Sequence, residues 1–339
     1  MTSRRGWARA IAGLAVAALF LALLARRVDW AEVRQVLAGA RWWPLALGLV
    51  ALAADMSARI VRWWWMLRAA EPGLPLLSCV RPFLGSLALN NTVPLRAGDV
   101  VRVFGFRHAL RAPAAHVAGT LVLERMLDLL VLLAILFAGA IGTSGVFPHG
   151  FIVLAGFAGT VAVVLLLTLT IFPREITALL QRLLLRIFSG RKWLPRLSQA
   201  VAQLTGSVAL LRSPPRAIRL IGLSILAWIL EGAVFASVVW SLGIAVPWTA
   251  PWLSLAAATL ATLLPSSPGY VGTFDYFAVL GLSAYGARAA DATAFALLTH
   301  LMLWIPITVT GLLALGLSRP RSNPASVSDS LSSQSGAVA

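Results

Sequence analysis

Long apolar runs separated by short polar or basic stretches organise the chain. Runs of about 18 residues or more predict membrane-spanning helices. They fall at 7–25, 42–67, 113–142, 151–172, 217–242 and 290–317. The segments between them differ in kind. Residues 28–40 mix polar and apolar positions, are too short and charged to span, and read as an interfacial segment. Residues 74–94 are barely long enough to span, and 96–111 are basic. Residues 173–216 set Leu and Ile at helical spacing among Arg174, Arg182, Arg186, Arg191, Lys192, Arg196, Arg212 and Arg216, which predicts amphipathic helices on the cytoplasmic membrane surface. Two shorter runs, 253–264 and 271–285, precede the last span. The Ser-rich stretch 318–339 has no apolar period and reads as a disordered cytoplasmic tail.

Loops rich in Lys and Arg stay in the cytoplasm. Residues 173–216 are therefore expected inside, and the loop 143–150, which has neither, outside. Arg319 and Arg321 place the C-terminus inside, and parity then places the N-terminus there too. Arg26, Arg27, Arg34 and Arg41 fall on the outer side in this scheme, against the charge rule. The Arg4–Arg5 pair precedes no small-residue cleavage site, so the first span reads as a retained signal anchor.

Composition sharpens this picture. Apolar residues make up 59% and charged residues 12%, with a mean hydropathy of +0.86. These values exclude a soluble enzyme and a disordered regulator. The single cysteine, Cys79, excludes an internal disulfide and a cysteine zinc site, and the four histidines are too scattered for a metal, so no cofactor is expected. The net charge is +16, from 28 basic and 12 acidic residues. Because the arginines sit between apolar spans, the partner they imply is anionic membrane lipid rather than nucleic acid.

Two stretches resemble each other. Residues 84–104 and 255–277 each hold an apolar helix, a proline (Pro94, Pro265), a glycine four positions later (Gly98, Gly269) and a second short helix. Each lies between two full spans, one opening from inside and one from outside. The expected fold is an all-α, polytopic membrane helical bundle with an inverted-topology repeat and two re-entrant broken-helix hairpins. The repeat halves would be about 42–142 and 217–317 within a membrane domain 1–317. Hairpins that cross fully are the alternative, but they would carry Arg96, Asp99 and Arg102 through lipid at roughly 2.5–3.5 kcal/mol per charge near the centre.

Polar residues at membrane depth are the candidate site. Asp55, Arg59 and Arg62 share a face of the second span and read either as a headgroup clamp or as arginines snorkelling beside Trp63, Trp64 and Trp65. Asn90 and Asn91 precede the first break, and Arg96, Asp99 and Arg102 follow it. This suits an anion beside free helix N–H groups, or an Arg96–Asp99 staple. Glu124, Arg125 and Asp128 lie in the middle of a span, as a salt bridge to Arg96 or Arg102 or as a charge relay. Glu231, Asp275 and His300 are the ionisable residues of the other half, with His300 read as a buried, hydrogen-bonded imidazole. Ser266, Ser267, Gly269 and Gly272 shape the second tip for an anion or for tight helix packing. Gly269→Ala should be mild either way.

The motifs Pro94-Leu-Arg-Ala-Gly98-Asp99, Glu124-Arg125-Met-Leu-Asp128 and Leu264-Pro265-Ser-Ser-Pro268-Gly269-Tyr-Val-Gly272-Thr-Phe-Asp275 resemble the flippase-like family, also called the lysylphosphatidylglycerol synthase transmembrane domain. The resemblance spans about residues 10–317. It implies an integral bundle that moves lipids or lipid-linked headgroups between leaflets. Some members add a C-terminal cytosolic aminoacyl-transferase domain. With the tail 318–339 in its place, no synthase activity is expected. Three functions follow for weighing: a lipid translocase of the bacterial inner membrane, a non-transporting scaffold for lipid-biosynthesis enzymes, and a lipid-modifying membrane enzyme. The sequence holds no paired-aspartate motif and no nucleotide-binding loop, so the expected protein is not an enzyme.

Overall fold

The computed structural model describes residues 15–23, 28–93, 96–141, 149–188, 194–263 and 267–316. Pro94, Pro265, Ser266, residues 143–148 and the tail 318–339 lie outside them. Among the described residues every regular element is a helix: α1 (Trp30–Ala38), α2 (Trp42–Leu67), α3 (Leu77–Thr92), α4 (Ala97–Phe104), α5 (Arg107–Leu110), α6 (Ala114–Ile141), α7 (His149–Ile171), α8 (Pro173–Phe188), α9 (Leu194–Val208), α10 (Pro214–Leu242), α11 (Ala250–Ala261), α12 (Thr273–Ser283) and α13 (Ala289–Gly316). Residues 15–23 are helical too, and Phe20 packs on Tyr276 of α12 at 5.0 Å between ring centroids.

Three of these, α2, α10 and α13, are long and apolar enough to cross a membrane. The chain is a multi-pass membrane protein. Helix α6 has 28 residues, the same length as α13, but carries Glu124, Arg125 and Asp128 in its middle. Helix α7 does not end in a loop. It turns by 97° into α8, at Pro173, where the missing proline N–H stops the first helix and suits the first turn of the next. Helix α1 is capped by Asp29, whose carboxylate accepts from the Ala31 N–H at 2.8 Å. Its Val33 is buried against Ala290 and Ala294 of α13.

Helices α2 and α10 run antiparallel. Trp43 meets Trp240 edge-on at 4.2 Å, the Arg41 N–H donates to the Ser241 carbonyl at 2.9 Å, and Arg62 reaches Ser224 at the other end. The two hairpins then cross over. The first limb of the first hairpin, α3, packs on α13, where Asn91 donates to Thr308 at 3.0 Å. The first limb of the second hairpin, α11, packs on α6, and Tyr285, just beyond α12, donates to the Gly139 carbonyl there at 2.8 Å. Each hairpin therefore rests on the long helix that follows the other hairpin in the chain. A core of Phe235, Phe274 and Phe295, in ring contact at 6.0 and 6.1 Å, fills the space between α10, α12 and α13.

Within the first hairpin, Gly98 lies against the Ser86 carbonyl and 2.7 Å, measured from an ideal Cβ, from Asn90 Oδ1. Only a residue without Cβ lets α4 fold back so closely on α3.

Candidate functional site

The two hairpin tips face one another across a cleft of about 200 Å³. Asn90, Asn91 and Arg96 line it from the first hairpin, and Thr262, Gly269 and Tyr270 from the second. Arg59, Glu124, Arg125, Glu231, His300 and Trp304 complete the wall from the long helices. Arg96 and Tyr270 are both non-glycine residues in the left-handed region, at φ 51° and 62°. Such residues cost about 1–3 kcal/mol each where the conformation is sparsely populated, and they gather at ligand clamps and switches. Here they touch: the Arg96 guanidinium lies 5.6 Å from the Tyr270 ring centroid, and Arg96 Nη2 donates to the Thr262 carbonyl at 3.0 Å. All these partners are neutral.

Behind the cleft, three ionic clusters fix the walls. In the first, Arg59 Nε donates to Asp55 at 2.7 Å and Nη2 to Glu231 at 2.6 Å, with the guanidinium 4.4 Å over the Trp228 ring. Arg62 grips Asp128 with two donors at 2.6 and 3.2 Å, and the Trp228 indole N–H adds a third at 3.2 Å. In the second, Arg102 donates to Glu124 at 3.0 Å and is stacked on Trp63 at 3.8 Å and Phe83 at 4.4 Å. In the third, Asn90 donates to Asp99 at 2.9 Å, the Asp99 N–H returns to Asn90 Oδ1 at 3.2 Å, and Arg125 stands 3.6 Å from Asp99. A charge-assisted bond in a water-poor site is stronger than its solvated counterpart, which favours the first two clusters; the Arg125–Asp99 pair of the third is partly exposed.

A family model described as the lysylphosphatidylglycerol synthase TM region matches residues 10–311. The chain belongs to that family. It is also similar to the protein named glycosyltransferase AglD of Haloferax volcanii, at 24% identity over 319 residues, covering 86% of this chain and 51% of that protein. The chain thus spans about half the length of that curated relative.

In this family member the sequence-derived site residues separate into three groups. Asn90, Asn91, Arg96, Glu124, Arg125, Arg59, Glu231, Gly269 and His300 line the cleft. Asp55, Arg62, Asp99, Arg102, Asp128 and Asp275 do not; each except Arg62 is paired with a residue that does, and Arg62 pairs with Asp128. Ser267 donates to its own loop at Val271, Gly272 packs near Ala17, and Ser266 is outside the described residues. Several readings change. Arg59 and Arg62 do not snorkel, because Arg62 is fully buried and both face carboxylates from other helices. Trp63 is no interfacial belt residue: it is fully buried, and its indole N–H donates to Thr120 at 3.0 Å. Glu124 pairs with Arg102, and Arg96 reaches neither Glu124 nor Asp128. Arg96 and Asp99 form no staple, since Asp99 turns to Asn90 and Arg125. Gly269→Ala is not mild: φ is +68°, and a Cβ would stand 2.6 Å from Trp304 Nε1.

His300 is hydrogen-bonded as expected, with Nδ1 2.8 Å from Asp275 and Nε2 2.9 Å from the Gly269 carbonyl. Asp275 also accepts from the Gly272 N–H at 2.8 Å. One chain of bonds therefore ties the second tip to α13.

Sequence reasoning missed Thr259, Thr262, Tyr270, Trp228 and Trp304. Thr259 and Thr262 precede the second break as Asn90 and Asn91 precede the first, so the same search would have found them. Thr259 Oγ1 and Trp304 Nε1 are buried, line the cleft and have no partner among the described residues. A buried donor without an acceptor costs about 1–3 kcal/mol, and both of these groups belong to residues in the cleft wall.

Proposed function

We propose that this protein moves an anionic or lipid-linked headgroup between the leaflets of a bacterial inner membrane, using the cleft between the hairpin tips. The observation that carries this is Arg96. It is held in a strained conformation, lines the cleft between helices that span the membrane, and among the described residues has only neutral partners in the opposite tip. An arginine there is costly unless it meets an anion during the working cycle. The unpartnered Trp304 and Thr259 donors support the same ligand chemistry.

Re-entrant hairpins fit the helix lengths. At 1.5 Å per residue, the 8 residues of α4 and the 12 of α11 extend about 12 and 18 Å, short of a hydrocarbon core of about 30 Å. An inverted repeat fits the packing. Exchanging α2 with α10, α3 with α11, α4 with α12 and α6 with α13 maps α3-on-α13 onto α11-on-α6 and leaves α2-on-α10 unchanged. Arg59 and Glu231 stand 172 positions apart, within one residue of the separation between Gly98 and Gly269. Their ion pair then sits on the axis between the halves, where a rocking motion would leave it least disturbed while opening and closing the Arg96–Thr262 contact. The basic segment 173–216 and both termini are cytoplasmic in this reading.

A lipid-modifying enzyme is the second reading, favoured by the name of the relative. One preparation separates the two. Reconstituted protein is supplied with headgroup-labelled anionic lipid, and both leaflet exposure and covalent product are measured. Translocation predicts redistribution without a new product, and Arg96→Gln should slow it at least about tenfold with normal folding, the loss of one charge-assisted contact. Wild-type redistribution by folded Arg96→Gln would sink the proposal.

A further inference from the structure

A second cavity, of about 290 Å³, lies at the other end of α2, away from the cleft. Its wall joins the end of α2 and the following turn (Trp65, Arg68, Pro72) to the start of α10 (Arg216, Arg219, Leu220). Three arginines converge there, and among the described residues none has a carboxylate partner; Glu71, the nearest acid in sequence to Arg68, makes no ion pair with them. The Arg219 guanidinium stacks 3.9 Å over the Trp65 ring, and Arg68 lies 4.7 Å from Trp64 and 5.3 Å from Trp65. The platform is itself fixed. Trp64 and Trp65 are 5.1 Å apart in an edge contact, the Trp64 indole donates to the Leu74 carbonyl at 2.8 Å, and Arg68 Nε donates to the Pro72 carbonyl at 3.0 Å.

Stacking on indole holds a guanidinium without consuming its charge or its edge donors. Two guanidiniums on one ring with no acid nearby repel each other, and an anion between them removes that cost. We infer that this cavity binds a phosphate ester at the membrane surface, separately from any headgroup passing through the cleft. The favoured source is the phosphodiester of an anionic bilayer lipid. The pocket opens at the end of two membrane-crossing helices, next to the short turn that follows α9, and Leu210 and Leu220 supply an apolar floor for the glycerol backbone.

The test uses purified full-length protein in neutral detergent, with thermal stabilisation titrated by phosphatidylglycerol, phosphatidylcholine or inorganic phosphate. Phosphatidylglycerol should stabilise and phosphatidylcholine should not. In Arg216→Gln/Arg219→Gln the apparent affinity for phosphatidylglycerol should fall about thirtyfold, which is about 2 kcal/mol at 1.4 kcal/mol per tenfold. A headgroup that also enters the cleft would add its own Arg96-dependent stabilisation, so the titration is repeated in Arg96→Gln: the component lost in Arg216→Gln/Arg219→Gln should persist there, which separates this site from the cleft. Stabilisation by inorganic phosphate that matches the lipid's and is lost in the same double variant would assign the source to soluble phosphate. Unchanged phosphatidylglycerol affinity in the folded double variant would overturn the site. Should that variant not fold, wild-type binding that persists unweakened in 1 M salt would overturn it instead.

Discussion

Glu124→Gln is the sharpest probe of the cleft wall. The change keeps the volume of the side chain and deletes its charge. It leaves Arg102, which has no solvent exposure, without an anion within ion-pair distance among the described residues. Removing one member of a buried pair costs about 3–5 kcal/mol, because the other charge remains desolvated. Two features pull the estimate to the low end: the Trp63 and Phe83 faces still receive the guanidinium, and an unfolded chain within the membrane finds other polar partners. The expected loss is about 3 kcal/mol, or on the order of 5–10 °C in a far-UV circular dichroism melt in detergent. Replacing both members, as Arg102→Met with Glu124→Leu, removes the buried charge altogether and should recover most of that loss. A Glu124→Gln protein that melts with the wild type, or a double variant that melts below Glu124→Gln, would refute the argument. The same samples, assayed for lipid redistribution at matched protein level, tell a weakened wall from a lost headgroup contact.

Backbone sterics give two further tests. Gly98→Ala would push α4 off the Ser86 carbonyl and should lower membrane-extracted protein sharply, whereas Gly73→Ala, with nothing within 4 Å of the new methyl, should be silent. Gly269→Ala should lose redistribution activity, because φ +68° and Trp304 both resist the methyl; wild-type activity would show that the second tip relaxes freely. Topology is tested by replacing Cys79 and placing single cysteines at Ser144, Gln199 and Ser322. An impermeant thiol reagent on intact cells should label only position 144, and labelling at 199 would reverse the orientation.

The spans α2, α10 and α13 were legible because long runs of Leu, Val and Ala have one stable solution in lipid. The polar positions were legible because charge at that depth is rare and therefore conspicuous. Their pairing was not. Glu124 could equally have met Arg96 or Arg102, since partner choice depends on which faces of α4 and α6 meet, and local sequence does not encode that. Arg59 and Arg62 resembled interfacial arginines because their partners, Glu231 and Asp128, arrive from α10 and α6, far along the chain. The Pro and Gly spacings marked both breaks but not the residues that bear the strain. Arg96 and Tyr270 adopt left-handed backbones because tertiary contacts hold them there, against their own preference.

Counting charges around Arg59 and Arg62 yields a ranking that neither residue type nor burial alone predicts. Three carboxylates, Asp55, Asp128 and Glu231, face these two guanidiniums within 4 Å. Asp128 and Glu231 look alike in sequence, each an acid in the middle of a long apolar helix, but their losses differ. Among the described residues Asp128 is the only carboxylate paired with Arg62, so Asp128→Asn strips that pair and weakens the bond from the Trp228 indole. The cost should approach the about 3–5 kcal/mol of an orphaned buried charge. Glu231→Gln leaves Arg59 with Asp55 at 2.7 Å and Asp128 at 3.8 Å, and brings carboxylates and guanidiniums to equal number. Its cost should be nearer about 1–2 kcal/mol, a single charge-assisted bond exchanged for a neutral one. Detergent melts at matched purity should therefore rank Asp128→Asn well below Glu231→Gln. If Glu231 also bridges the two halves during transport, Glu231→Gln will slow redistribution more than its small stability loss explains. Equal melting of the two variants would mean that the carboxylate count does not govern this cluster and that each ion pair acts alone.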